Sequence, residues 1–308
     1  MFTIRIIFFL IIFTLIGGLH AENNESMLDS YHDDLCLWLV DTSNSIDDYF
    51  IDVNSTLRSD TQAEIKTSFA VENGQQSEYA MRLKLRLNLP KIQKKLRLIL
   101  EDEDSDDLLY DNSVLNNNHQ LEKKNYFLRI EYFNYMLKEL NIASGVGVRL
   151  RKQSLHPYLN LKAKYYFEDR AEYQSLISNR FRLYIDGDVE NTIGYDTLHY
   201  IEKDVYISFR NTLGYKSIED HQKMVNDLSI IKPYNKDKRV ILGVLLFTEI
   251  RDKDITVVYP QLYGIYRNQL YKDWIYYELN PSLLVRSENN DELSMRFMVN
   301  IGTIFRTN

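Results

Sequence analysis

The chain has 308 residues and a formal net charge of −7, with 26% charged and 44% hydrophobic residues. That acidic balance argues against a nucleic-acid partner, and the length suits one large domain or two small ones. The single cysteine, Cys36, excludes an internal disulfide framework and a multi-cysteine zinc site.

Met1–Ala21 reads as a secretory signal peptide. Arg5 supplies a minimal basic start, Ile6–Ile16 an apolar core, and Gly17-Gly18 a break before a cleavage site at Leu19-His20-Ala21. The apolar run is shorter than the roughly 20 residues a spanning helix needs. Residues 22–60 are expected to form a periplasmic segment. Glu22–Asp34 reads as loose. Leu35–Ile51 reads as a short amphipathic helix, interrupted at Asp41-Thr42-Ser43-Asn44. Such a helix has three places to go: the membrane surface, the mouth of a barrel as a plug, or the barrel rim. Cys36 within it reads as a small buried hydrophobe or an unreactive thiol.

From residue 61 onward the pattern changes to a period of two. Ala63–Glu72 and Tyr79–Leu89 flank the turn Asn73-Gly74-Gln75-Gln76. In the second segment Tyr79, Met81, Leu83, Leu85, Leu87 and Leu89 alternate with Ala80, Arg82, Lys84, Arg86 and Asn88, and Pro90 ends it. Leu96, Leu98 and Leu100 continue, with Arg97 on the other parity. Glu101–Lys124 is irregular and acidic at its start. Asp102, Asp104 and Asp106 lack the turn glycine and distal glutamate of a calcium loop, so this run reads as a solvated outer loop.

Further strands are expected near Tyr126–Phe133, Ile142–Arg151, Tyr158–Phe167, Tyr173–Ile185, Glu190–Tyr200, Val205–Tyr215, Met224–Ile231, Arg239–Glu249, Ile255–Arg267, Trp274–Val285 and Leu293–Phe305. Asp186-Gly187 suggests a type I′ hairpin. Glu202-Lys203-Asp204 and Tyr271-Lys272-Asp273 suggest tight turns. Pro260 requires a bulge or an edge. Alternation slips over Tyr173–Tyr200.

Segments of about ten alternating residues are long for soluble strands and match the length of a tilted strand crossing a bilayer. Lipid cannot satisfy backbone polar groups, so only helices and closed barrels span it. The expected fold is therefore all-β: a transmembrane antiparallel barrel of about 12–14 strands over residues 61–308. Phe305 near the C-terminus looks like the terminal assembly signal of bacterial outer-membrane proteins, with Arg306, Thr307 and Asn308 appended. The 23 tyrosines suit interfacial aromatic belts.

With the apolar parity taken as lipid-facing, the lumen-lining candidates are Arg82, Lys84, Arg86, Arg97, Arg129, Glu131, Arg149, Arg151, Lys162, Lys164, Arg180, Arg182, Arg210, Glu278 and Arg296. This set is basic although the chain is acidic, because the acids are assigned mostly to loops. In a wide pore such rings favour anions. In a narrow barrel they pair with acids and fill the interior.

The six histidines show no metal-ligand spacing and accompany no nucleophile motif. No cofactor, metal or catalytic residue is expected. His156 is the best candidate should the barrel be an enzyme acting on lipid or surface peptide. A soluble periplasmic β-rich binding protein is the other rival.

Arg239–Phe247, Ile255–Arg267, Lys272-Asp273-Trp274 with Tyr277-Glu278-Leu279-Asn280-Pro281, Leu293–Phe305 and the early Leu87–Leu98 stretch together resemble a group of uncharacterised bacterial outer-membrane barrel proteins. The resemblance implies the barrel fold, an outer-membrane location, contact with membrane lipid and lipopolysaccharide, and passage through the barrel assembly machinery. It implies no catalytic residue. The function expected is a passive channel or structural barrel, with solute and oligomeric state open.

Overall fold

The computed structural model describes residues 22–50, 61–88, 96–102, 126–136, 139–151, 154–170, 173–202, 204–218, 221–235, 238–251, 254–287 and 292–306. The expected signal peptide, residues 51–60 and most of the acidic Glu101–Lys124 stretch lie outside them.

Among the described residues one helix, α1 (Glu22–Phe50), precedes fourteen strands. These are β1 (Gln62–Glu72), β2 (Glu78–Asn88), β3 (Leu96–Asp102), β4 (Tyr126–Met136), β5 (Leu140–Arg151), β6 (Ser154–Arg170), β7 (Tyr173–Tyr184), β8 (Val189–Glu202), β9 (Val205–Lys216), β10 (His221–Pro233), β11 (Arg239–Arg251), β12 (Asp254–Tyr271), β13 (Ile275–Val285) and β14 (Leu293–Arg306). Each pairs antiparallel with its sequence neighbours, and β1 closes on β14 from Gln62↔Arg306 to Glu72↔Arg296. Closure leaves the sheet no unpaired edge. The even count puts Gln62 and Arg306 at one end, here called the terminal end.

The register settles the faces. Outward are Met81, Leu83, Leu128, Ile130, Leu159, Leu161, Leu242, Val244, Met295 and Phe297, all exposed. A continuous belt of bare aliphatic side chains is unfavourable in water at about 25 cal/mol per Å², and it is the surface a bilayer requires. Outward rings flank it. Tyr165, Phe167, Tyr195 and Phe209 form a chain of ring contacts at 6.1–6.5 Å, and Tyr266 meets Tyr277 at 6.0 Å.

Several local expectations are revised. Residues 22–50 form one continuous helix, not a loose stretch followed by an interrupted short one. Thr, Ser and Asn cost a helix only a few tenths of a kcal/mol each, and Ser43 lies fully buried on the same face as Cys36 and Leu39. The Asp186-Gly187 hairpin is present, but its turn is not type I′. Gly187 has φ +93°, whereas Asp186 is not among the residues with positive φ. Gly187 N–H donates to the Tyr184 carbonyl, and Tyr184 N–H to that of Asp188. That is the three-residue loop built from a type I turn and a left-handed glycine. Asp204 and Lys272 take positive φ in the tight turns after β8 and β12. Pro260 sits two residues beyond a register shift between β11 and β12, in which Phe247 pairs with Tyr259 and Thr248 with Val257. The slip near Tyr173 coincides with another shift, between Tyr166 and Glu168 of β6.

Candidate lumen

The inward parity carries most of the buried charge of the barrel. Arg82, Arg129, Glu131, Arg149, Lys162, Arg180, Arg182, Glu278 and Arg296 are inward and buried. Lys84, Arg86, Lys164 and Arg210 are inward and half-buried. Arg97 and Arg151 occupy strand positions opposite Glu131 and Ser154; their side chains lie outside the described set.

Buried charge is tolerated only when paired and hydrogen-bonded, and the inner wall is built accordingly. At mid-height Arg129 donates to Glu131 at 2.8 Å, and Lys162 reaches the same carboxylate at 3.2 Å. Toward the end opposite the termini, Arg149 and Arg182 share Glu190 at 2.5 and 3.2 Å, and Tyr184 donates to it at 3.0 Å. The Phe127 ring lies under both guanidiniums, at 5.1 and 4.3 Å. Arg286 and Arg296 share Glu72, and Arg296 also holds Glu78 through two bonds of 3.0 Å. Toward the terminal end Arg267 and Arg239 lie 3.6 and 3.8 Å from Glu278, which accepts from Asn300 at 3.1 Å. Arg210 meets Asp196 at 2.5 Å. The expectation that acids sit mostly in loops is thus corrected for Glu72, Glu190, Asp196 and Asp227. Alternation places them on the inner face, beside the cations whose burial they offset.

The sequence reading missed a second inner wall. Ile231, Ile241, Leu245, Phe247, Tyr259, Tyr263 and Ile265 form a buried apolar cluster on β10–β12. All are inward-facing, so equating apolar with lipid-facing fails there. Tyrosines are likewise divided between faces: Tyr158, Tyr184, Tyr259, Tyr263 and Tyr276 point inward and are buried. Three of them lie over a glycine on the neighbouring strand, in the pairs Gly147↔Tyr158, Gly243↔Tyr263 and Gly302↔Tyr276. A Cβ on these glycines would stand 2.6, 2.5 and 2.1 Å from the ring. The glycines are the footprint of inward rings folded flat against the wall. Strand-interior glycine opposite tyrosine was the available sequence signal. Tyr263 donates to Asp227 at 2.5 Å, Tyr276 to Glu64, and the Arg267 guanidinium lies 3.6 Å over the Tyr276 ring.

His156 lies at the rim opposite the termini, its Nδ1 2.8 Å from Asp186 on the β7–β8 turn. That hydrogen bond holds the Asp186 carboxyl below its ordinary range. Among the described residues no group of His, Cys, Asp and Glu has the geometry to hold a metal ion.

A closed fourteen-strand sheet with an aliphatic belt outside and paired charge inside is a membrane-spanning β-barrel. No protein-family model and no curated protein matches the chain. Solved structures of similar architecture include an anion-selective porin from Comamonas acidovorans, at 12% identity and a TM-score of 0.48 over 80% of this chain and 99% of that one. OmpT, an outer membrane protein of Vibrio cholerae, aligns at 7% identity and a TM-score of 0.47 over 82% and 100%. The outer membrane protein OprD from Pseudomonas aeruginosa aligns at 5% and 0.44 over 81% and 94%.

Proposed function

We propose that the chain is a passive channel of the bacterial outer membrane, exported by residues 1–21, with residues 22–60 on the periplasmic side and the barrel set among lipid and lipopolysaccharide after delivery by the barrel assembly machinery. The observation that carries the channel reading is the basic inner face of β2–β7. Arg82, Lys84, Arg86, Arg129, Arg149, Lys162, Lys164, Arg180 and Arg182 lie there, and among the described residues of those strands Glu131 is the buried acid and Glu78 a partly exposed one. Cation rings in a pore raise the local concentration of anions and lower their entry barrier. Fourteen strands fall between the eight that side chains fill and the sixteen or more of open aqueous channels, which suits a pore narrowed by its own side chains. The mid-height pair Arg129–Glu131 is buried, whereas Lys84, Arg86 and Lys164 toward the terminal end are half-exposed. The pore is therefore read as a constriction opening into a basic vestibule.

The role is non-catalytic in this reading: among the described residues His156 pairs with Asp186 at an exposed turn and no nucleophile bonds to it. Planar-bilayer recording tests the proposal. The wild-type barrel should give steps with a reversal potential favouring anions, and Arg82→Glu, Lys84→Glu and Arg86→Glu combined should move it toward cations. An unchanged reversal potential would sink the role of the basic face. A chain found in the osmotic-shock fluid, with no shift between boiled and unboiled gel bands, would sink the outer-membrane barrel itself.

A further inference from the structure

Helix α1 lies against the outside of the barrel. Its partners Ala63 on β1, Leu85 on β2 and Phe305 on β14 share the outward parity, and with Cys36 and Leu39 they form one buried cluster. The plug expectation is therefore not met. The direction of the helix follows from its contacts in order. Asp29 meets Tyr271 and Lys272 at the β12–β13 turn. His32 stacks on Trp274 at 4.4 Å and Phe305 at 5.5 Å, and its Nε2 donates to the Ile304 carbonyl at 3.1 Å. Cys36 reaches the Arg306 carbonyl, and β2 is touched as well. The helix thus crosses the ends of β13, β14, β1 and β2 in turn. Ten residues from Asp29 to Leu39 rise ~15 Å, and three inter-strand steps measure ~14 Å. The axis runs around the rim, nearly in the plane a bilayer surface would occupy.

Asp29, His32, Cys36, Leu39 and Ser43 face the barrel. A second stripe, Met27, Tyr31, Leu35 and Trp38, follows at spacings of four, four and three and is 55%, 57%, 45% and 59% exposed. At 100° per residue this stripe is adjacent to the docked face, so the two form one apolar half-cylinder of which only half is covered. Asp33, Asp34 and Asp41 occupy the remaining arc with Leu37, and all four are exposed. The chain has two tryptophans, and both belong to this junction: Trp274 under His32, and Trp38 on the bare stripe. Tryptophan and tyrosine concentrate at the boundary between headgroups and acyl chains.

We propose that α1 is an interfacial anchor, with Met27, Tyr31, Leu35 and Trp38 seated in the headgroup–acyl boundary of the phospholipid leaflet at the terminal end. The occupant follows from continuity. The docked face of the helix sits on the outward face of β1, β2 and β14, whose exposed Ile65, Leu83 and Phe297 are part of the lipid-facing belt, and the bare stripe borders that docked face. Helix α1 contains acidic residues and no Lys or Arg, so attachment is by apolar insertion into zwitterionic lipid and owes nothing to anionic headgroups. This inference rests on the membrane reading of the barrel and is independent of conductance.

The test uses Trp274→Phe, which keeps a ring under His32 and leaves Trp38 as the sole tryptophan. The protein is folded into phosphatidylcholine vesicles with bromines at acyl carbons 6 and 7. Trp38 emission should fall roughly twofold against unbrominated vesicles, and less with bromines deeper in the chain. Met27→Cys in a Cys36→Ser background, labelled with an environment-sensitive dye, should shift to the blue in the same vesicles. Trp38 emission untouched by brominated lipid and open to aqueous iodide would overturn the proposal. So would emission shielded from both in a cross-linkable dimer, which would assign the stripe to a second copy. Gel heat-modifiability on the same samples separates failure of the anchor from failure of the barrel.

Discussion

Strands β4–β8 and strands β10–β12 stand on either side of β9 in the closed sheet and solve the same burial problem by opposite means. On β4–β8 the inner surface sets guanidiniums over the Phe127, Tyr158 and Tyr184 rings and pairs its cations with shared carboxylates: Arg129 and Lys162 on Glu131, Arg149 and Arg182 on Glu190. On β10–β12 it consists of Ile241, Leu245, Phe247, Tyr259 and Ile265, with Asp227 held by Tyr263. The first wall is specific but brittle, because each acid neutralises two cations. The second is tolerant of charge changes but sensitive to volume, because packed side chains cannot re-expand into a missing group. In the channel proposed above, this division is expected to hold anions toward β4–β8.

The comparison predicts a graded set of losses. Glu190→Ala should be the most damaging, since it leaves Arg149 and Arg182 buried without their shared partner. Breaking a buried ion network in this way costs about 3–5 kcal/mol, and the urea midpoint of the barrel in vesicles should fall accordingly. A midpoint equal to wild type would show that the wall is hydrated and not packed. Leu245→Ala, at a fully buried site of the apolar wall, should cost about 3 kcal/mol by cavity formation and leave ion selectivity unchanged. Loss of selectivity in that variant would erase the division between the walls. Gly243→Ala should cost about 2 kcal/mol, because the new methyl must displace the Tyr263 ring lying 2.5 Å from its position. Tyr263→Leu added to it should recover part of the loss, and failure to recover would mean that the ring is not the obstacle.

The smallest effect belongs to the rim. Hydrogen bonding to His156 depresses the Asp186 carboxyl. A depressed acid adds stability above its unfolded pKa of about 3.9 and loses it as pH falls through the lower folded value. Asp186→Asn should therefore lower the midpoint slightly at pH 6 and not at all near pH 2. A larger deficit at the acid end would reverse the assignment. The site is exposed, so the difference will be small.

Legibility differed between the two walls for a physical reason. Charged residues alternating with leucines, as in Tyr79–Leu87, leave one answer for which face meets lipid, and the inward position of Arg82, Lys84 and Arg86 could be read directly. On β11, Arg239–Arg251, both parities are apolar. Ile241, Leu245 and Phe247 go inward and Leu242, Val244 and Leu246 outward, and periodicity alone cannot separate two hydrophobic faces. Glu190 was hidden because a lone carboxylate at the start of a strand reads as turn, whereas Asp196 and Asp227 stand in mid-strand and take their face from register with Arg210. Helix α1 was foreseen in part, but its length was not, since the Asp41–Asn44 stretch breaks the pattern while Ser43 is held by tertiary contact.

The sequence by itself determined the strand-rich chain, the lengths that suit a bilayer, the basic inner set and the outer aliphatic belt, because these depend on composition and a period of two. Only the tertiary structure decided the closure of β1 on β14, the pairing of each cation with its acid, the glycine–tyrosine contacts and the tangential seat of α1. Those depend on which strand stands beside which. Register joins residues as distant as Glu72 and Arg296, and no local pattern carries that information.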